Sequence, residues 1–149
     1  MRDTARAMSQ DNLDVVRSSF AAWNRGDVEA FAALYAQDAE WDMTRFSGWP
    51  EDTRSDSVKS FFEDMFTAFE GIQVEAERLV EVGSDQVFAY ARMEARGKGS
   101  GVPVGSPAFW QLCTVRGGKI LHVITYSDQA EALADAGLQE KRRPSARLR

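Results

Sequence analysis

Apolar side chains recur at helical spacing in three stretches of the first half of the chain. After Asp11 the first stretch has apolar residues three or four positions apart, which are Leu13, Val16, Phe20 and Trp23. Asp27 precedes the second stretch, whose apolar residues are Val28, Phe31, Leu34 and Tyr35. The third is one broad apolar stripe from Val58 to Phe69. This spacing predicts three amphipathic helices, the first ended by Gly26 and the second capped by Asp27.

The second half of the chain has the patterning of strands. Glycine-containing turns separate four long runs, which are 72–82, 87–96, 106–116 and 119–126. A short strand is also predicted around Trp41 and Met43, which alternate with polar residues. The closing segment SDQAEALADAGL places Asp128 and Glu131 at capping-box spacing and predicts a last helix that stops at Gly137. Helices first and strands afterwards predict an α+β fold, with the helices on one face of a mainly antiparallel sheet.

The turn in VRGGKI decides which side chains of the last two strands share a face. The favoured hairpin has a three-residue loop, 117–119, with Gly118 in the left-handed conformation. In that register Gln111 lies opposite Thr125, and Trp110 lies opposite Tyr126. A two-residue turn is the alternative, and it would shift the pairing by one residue and mix the two faces.

Composition and charge narrow the class of protein. The 149 residues suffice for one domain, predicted over 11–138, and the net charge of −5 disfavours nucleic acid as a partner. The chain shows neither a membrane-spanning run nor a secretory leader, so we expect a cytoplasmic protein without membrane binding. One cysteine and one histidine give no case for a zinc site. Residues 1–10 and the basic segment 139–149 are expected to be mobile ends.

Two segments resemble a known family. WNRGDVEAFAALYAQDAEW near the start and VRGGKILHVITYSDQAEALADAGL near the end, together with the order of elements, are similar to the SnoaL-like branch of the NTF2-like superfamily. The resemblance covers roughly 11–138 and implies a cone in which the N-terminal helices pack on a curved sheet around a pocket. The same cone hosts polyketide cyclases, ketosteroid isomerases, epoxide hydrolases, dehydratases and binding modules, so it implies no single activity.

The resemblance also implies which face of the strand VFAYARMEARG looks inward. It places Phe88, Tyr90, Arg92 and Glu94 in the pocket, and the pair at 92 and 94 is similar to one used by limonene-type epoxide hydrolases. The pattern alone favours the alternative, in which Arg92 and Glu94 face solvent. If both are inside, Glu94 is the candidate acid/base and Arg92 its electrostatic partner.

Several catalytic positions of the family carry other residues here. The positions used by ketosteroid isomerases resemble Phe20, Met43 and Gln111, which cannot perform that reaction. The histidine and aspartate of polyketide cyclases are similar in position to Gln111 and Thr125. Two hypotheses follow: cofactor-free acid/base chemistry on a mainly apolar small molecule that carries oxygen groups, or a non-catalytic binding or dimerisation module.

The remaining predictions concern the pocket wall and the outside of the sheet. The expected ligand-binding residues are Phe20, Trp41, Met43, Phe62, Phe66, Tyr90, Phe109, Gln111, Val123 and Thr125. An apolar patch is expected on the outer face, and it predicts a homodimer formed through Trp110, Leu112, Ile124 and Tyr126. In the alternative, the last helix or a terminal segment covers this patch.

Overall fold

The computed structural model describes residues 2–46, 54–55, 58–97 and 103–138. In the described residues three helices and two strands precede the four consecutive strands of the second half, and a fourth helix follows them. The elements are α1 Arg2–Arg25, α2 Val28–Ala33, β1 Tyr35–Arg45, β2 Arg54–Ser55, α3 Val58–Ala68, β3 Phe69–Val82, β4 Gln86–Gly97, β5 Pro103–Arg116, β6 Lys119–Tyr126 and α4 Gln129–Ala136. The predicted α+β class is confirmed.

The predicted helices and long strands are present, but many of their ends differ: Tyr35, expected in the second helix, begins β1, which is longer than the predicted short strand. Helix α1 already begins at Arg2 instead of near Asp11, and α3 gives way to β3 at Phe69 instead of ending at Gly71. The Asp27 side chain accepts a hydrogen bond from the backbone N–H of Ala30, as its predicted capping role requires. Mobility of residues 1–10 stays a prediction, and the basic segment 139–149 lies outside the described residues.

The strands form one six-stranded sheet in the order β2-β1-β6-β5-β4-β3. Strands β1 and β6 run parallel, and the other neighbours are antiparallel. At the β3 edge, Asn24 of α1 pairs with the backbone of Val74: its Oδ1 accepts from the N–H over 2.7 Å and its Nδ2 donates to the carbonyl over 2.8 Å. This side chain therefore satisfies open edge groups and fixes α1 against the sheet.

The hairpin between β5 and β6 has the predicted register beyond its turn, but the turn itself differs from the prediction. The turn has two residues, Gly117 and Gly118, both at positive φ (61° and 79°), so the predicted three-residue loop is wrong. Val115 pairs with Ile120, and an irregularity at Leu121 then shifts the register by one residue. Beyond it Gln111 lies opposite Thr125, as predicted.

The sheet carries a core on each face. Residues of α1, α2 and α3 pack on the inner face, whereas Ala132 and Ala136 of α4 pack on the outer face against Phe88, Leu112 and Tyr126. The Asp128 cap and the left-handed Gly137 stop predicted for α4 are both present. The N-terminal helices share the inner face as expected, and α4 covers part of the outer face, which is the alternative that the sequence left open for the apolar patch.

Candidate functional site: an apolar cavity under the helices

A cavity of about 70 Å³ lies between the N-terminal helices and the inner face of the sheet. Its wall is built mainly from aromatic and thioether side chains. The lining residues are Ser19, Phe20, Trp23, Phe31, Tyr35, Trp41, Met43, Phe46, Phe61, Met65, Val74, Met93, Phe109, Gln111, Cys113 and Thr125. A large apolar wall with few polar groups is typical of small-molecule sites.

Aromatic rings from four elements meet at one side of the cavity. Phe31 of α2 is 2% exposed, and its ring centroid lies 5.4 Å from that of Trp23 and 6.0 Å from that of Trp41. Trp41 stacks on Phe61 of α3 with centroids 4.6 Å apart. The helical stripe of α1 and the alternation along β1 point these rings to the same place.

The polar groups of the cavity come mainly from the last two strands. Nε2 of Gln111 donates to Oγ1 of Thr125 over 3.2 Å, which the register between β5 and β6 makes possible. Both residues are buried, at 7% and 3% exposure. Ser19 of α1 donates its hydroxyl hydrogen to the carbonyl of Val16, so its oxygen can still accept.

Charged side chains are absent from the described wall of the cavity. Among the lining residues only Tyr35 and Cys113 can ionise, and burial raises the pKa of both. For Tyr35 the neighbouring Cys113 adds to this effect and the Ser19 hydroxyl opposes it. The pKa of Cys113 rises to about 12, so both groups stay neutral at physiological pH. The described wall therefore offers no group ready to take or give a proton at pH 7.

Apart from Tyr90, which lies on the outer face, the predicted wall residues divide into two groups. Those that line the cavity are Phe20, Trp41, Met43, Phe109, Gln111 and Thr125. Phe62, Phe66 and Val123 lie on the same side of the sheet but belong to the surrounding core. Phe62 and Phe66 stack on each other at 4.4 Å, which leaves the neighbouring Phe61 as the α3 ring in the wall. A role in binding stays a prediction for all of them.

The expected inward position of Phe88, Tyr90, Arg92 and Glu94 is wrong. These side chains lie on the outer face of β4, where Arg92 and Glu94 are exposed and Tyr90 is half-buried. Nε of Arg92 lies 3.1 Å from the carboxylate of Glu77, and Tyr90 stacks on Trp110. The inner face of β4 instead carries Val87, Ala89, Ala91, Met93 and Ala95. The helices packed on this face leave room for small apolar side chains and not for charged ones. The alternation along the strand therefore predicted the correct face for Arg92 and Glu94.

Sequence reasoning missed part of the wall. The residues not predicted are Ser19, Trp23, Phe31, Tyr35, Phe46, Phe61, Met65, Val74, Met93 and Cys113. For Trp23 and Phe31 the signal was present, because both belong to apolar helical stripes, but a stripe does not separate cavity wall from filled core. For Met93 the signal was the alternation of β4, which places its side chain on the apolar face of the strand.

The outer patch is partly covered within the chain. Leu112 and Tyr126 are buried under α4, at 5% and 0% exposure, whereas Trp110 and Ile124 are only partly buried. Arg45 holds α4 through ion pairs of 2.7 Å to Glu131 and 2.9 Å to Asp135. Leu112 and Tyr126 are therefore unavailable as an open contact surface, and dimerisation through the rest of the patch stays a prediction.

Neither a metal cluster nor a membrane helix is found in the described part of the chain. Within residues 2–46, 54–55, 58–97 and 103–138, no three His, Cys, Asp or Glu side chains come together so that they could hold a metal ion. No helix in these ranges is long and apolar enough to span a bilayer.

Burial of Cys113 predicts a loss of stability in alkali. Its folded-state pKa of about 12 lies above the ordinary value of 9.0, so the unfolded chain releases the thiol proton first. The stability that the neutral thiol contributes is therefore fully present below about pH 9, and it is lost as the pH rises through the folded-state pKa of Cys113. Urea unfolding between pH 8 and pH 11 should show a steeper fall for the wild type than for Cys113→Val. Equal slopes would mean that the thiol ionises as easily in the fold as in the unfolded chain.

The chain folds as a sheet covered by helices, with a small apolar cavity between the helices and the inner face of the sheet. Residues 16–123 match the model of the SnoaL-like domain, and the chain belongs to that family. No curated protein matches the chain.

Solved structures with the same fold come from several proteins. One is a hypothetical protein with a ketosteroid isomerase-like fold from Catenulispora acidiphila in complex with trimethylamine, with 20% identity, 84% and 93% of the two chains covered and a TM-score of 0.66. A putative polyketide cyclase from Xanthomonas campestris matches with 20% identity, 87% and 98% coverage and a TM-score of 0.64. The epoxide hydrolase/cyclase-like enzyme SalBIII matches with 17% identity, 81% and 93% coverage and a TM-score of 0.67. At these identities the likeness shows the NTF2-like fold alone.

Proposed function

We propose that this SnoaL-like protein binds a neutral, mainly apolar small molecule in the cavity and performs no acid/base catalysis there. The observation that carries the proposal is the described wall, which has a large aromatic surface and no side chain that is charged at pH 7. A buried charge without a partner is strongly disfavoured, so such a wall selects for uncharged ligands. The enzyme hypothesis relied on Glu94 and Arg92, and it loses its support with their position on the outer face.

The size of the cavity limits the ligand as well. A cavity of roughly 150 Å³ holds benzene, and this one has about half that volume at about 70 Å³. A ligand of benzene size therefore requires some wall residues to move. Phe20 and Met93 are only half-buried, and the flexible methionine side chain can change rotamer at small cost.

The direct test is a binding titration with toluene and with benzoate. Binding is measured by calorimetry and by chemical-shift changes in NMR spectra. Toluene should bind at least tenfold more tightly than benzoate, because the cavity excludes the carboxylate. Met93→Phe, which adds bulk to the wall, should weaken toluene binding at least fivefold, whereas the size-matched Met93→Leu should not.

Glu94→Gln and Arg92→Ala serve as controls on the opposite face. Both variants should bind toluene within twofold of the wild type. Preferred binding of benzoate, or loss of toluene binding in Glu94→Gln, would contradict the proposal. Failure of the wild type to bind toluene and other neutral probes of similar size at millimolar concentration would also contradict it.

A further inference from the structure

Two tryptophans of the cavity wall bury their indole N–H groups without a hydrogen-bond partner. Trp23 and Trp41 are each 6% exposed, and both line the cavity. Neither Nε1 atom has a partner among the described residues. Buried polar groups in native proteins are nearly always hydrogen-bonded, so two unpartnered donors beside one cavity need an explanation.

The neighbours of these indoles are other aromatic rings. The ring of Trp23 meets those of Phe31 and Phe62 edge-on, at 5.4 and 5.0 Å between centroids. Trp41 stacks on Phe61 at 4.6 Å and on Tyr35 at 5.9 Å. An aromatic face is at best a weak acceptor, so this cluster does not replace a normal hydrogen bond.

The two donors belong to one cluster. The ring of Phe31 contacts both tryptophans, as does that of Phe61, which lies 6.2 Å from Trp23. An indole N–H donates and never accepts, so whatever satisfies it must supply a lone pair. The described wall adds no cation that would favour an anionic acceptor. The chemistry that fits is an uncharged acceptor oxygen.

We infer that Trp23 and Trp41 are the hydrogen-bond donors of the binding site and that the ligand is a neutral molecule with a carbonyl-type acceptor oxygen. This inference rests on the proposed function, since it names the class of ligand for the same cavity. It adds a polar preference: a ligand whose oxygen accepts from the indoles binds more tightly than an apolar molecule of the same shape.

The test compares cyclohexanone with methylenecyclohexane, which have the same shape and differ in C=O against C=CH₂. In an apolar cavity without a donor, the ketone binds more weakly because it loses its hydration. With the indoles as donors, we expect the wild type to bind cyclohexanone at least threefold more tightly than the hydrocarbon. In NMR spectra of the ketone complex, the indole proton signals of Trp23 and Trp41 should move downfield, and that of Trp110 on the outer face should stay in place.

Variants separate the indoles from the other polar groups of the wall. Trp23→Phe and Trp41→Phe should each lower the ratio of ketone to hydrocarbon affinity at least threefold, and Trp110→Phe should leave it unchanged. Each substitution changes the volume of the wall and so affects the affinity of both probes. This effect cancels in the ratio of the two affinities. If a variant does not fold, the indole shifts of the wild type still decide the question.

The possible results separate failure of the indole inference from failure of the proposed function. Equal or tighter binding of the hydrocarbon to the wild type overturns the indole inference and leaves the proposed function standing. A ketone preference that survives in both tryptophan variants also overturns it. In that case Gln111 and Thr125 are the groups that bind the ligand oxygen. If toluene and both cyclic probes fail to bind, the proposed function itself is wrong.

Discussion

Phe31→Ala should lower the free energy of unfolding by about 3–5 kcal/mol, the range for removing a buried phenylalanine side chain. Phe31 is 2% exposed and is the buried residue of the short helix α2. Its ring contacts those of Trp23, Tyr35, Trp41 and Phe62 at centroid distances of 4.9 to 6.0 Å. Its removal takes away hydrophobic burial and several ring contacts at once, and the rigid indoles around it cannot close the space.

Urea denaturation measures this loss, with Phe31→Leu as the matched control. Leucine keeps most of the apolar volume and should cost less than about 1.5 kcal/mol. The alanine variant should also regain stability when toluene is added, because a ligand that binds only the folded state raises its stability. A loss below 1 kcal/mol in Phe31→Ala would mean that the aromatic cluster collapses to fill the space.

The predicted and observed structures agree where a local pattern sets the outcome. The stripe of α1, the Asp27 and Asp128 caps and the left-handed stop at Gly137 depend on residues within one or two turns of one another. Such local signals are readable from the chain because the interacting groups are close in sequence. The register that brings Gln111 to Thr125 was also predicted, although through the wrong turn.

The inward position of Arg92 and Glu94 was wrong, although the local pattern of β4 already indicated the outer face. Alternation in β4 directs Arg92 and Glu94 to solvent, and their inward position was implied only by the family resemblance. The structure follows the pattern, since Glu77 on the neighbouring strand provides an ion-pair partner on the outer face. An exposed pair of this kind contributes little stability, but inverting the strand would bury its charges.

The division between cavity wall and filled core could not be derived from the sequence. Phe61 and Phe62 are adjacent on α3, and both are apolar positions of one stripe. Only the assembled structure shows that Phe61 stacks on Trp41 at the cavity, whereas Phe62 stacks on Phe66. In the same way, the return of α4 over Leu112 and Tyr126 depends on contacts between distant segments.

Gln111→Glu should make the stability of the protein fall steeply between mildly acidic and alkaline pH. The position is 7% exposed at the cavity, and the described wall holds no cation to stabilise a carboxylate. Desolvation should raise the pKa of the new carboxyl above the ordinary value of about 4.3. Since the folded-state pKa then exceeds the unfolded one, the unfolded chain loses its proton first. Stability is therefore lost as the pH rises from the ordinary value through the folded value.

The expected loss relative to the wild type is small at pH 4 and about 4 kcal/mol at pH 8, which corresponds to a shift of about three pKa units. Gln111→Leu is the control: it also breaks the hydrogen bond to Thr125, but its effect should not change with pH. A flat profile for Gln111→Glu would mean that the carboxylate reaches water or a cation. That result would remove the main support for a cavity selective for neutral ligands, because the same desolvation is what should exclude benzoate. A steep profile would show that an acid placed at this point of the wall is held neutral at pH 7.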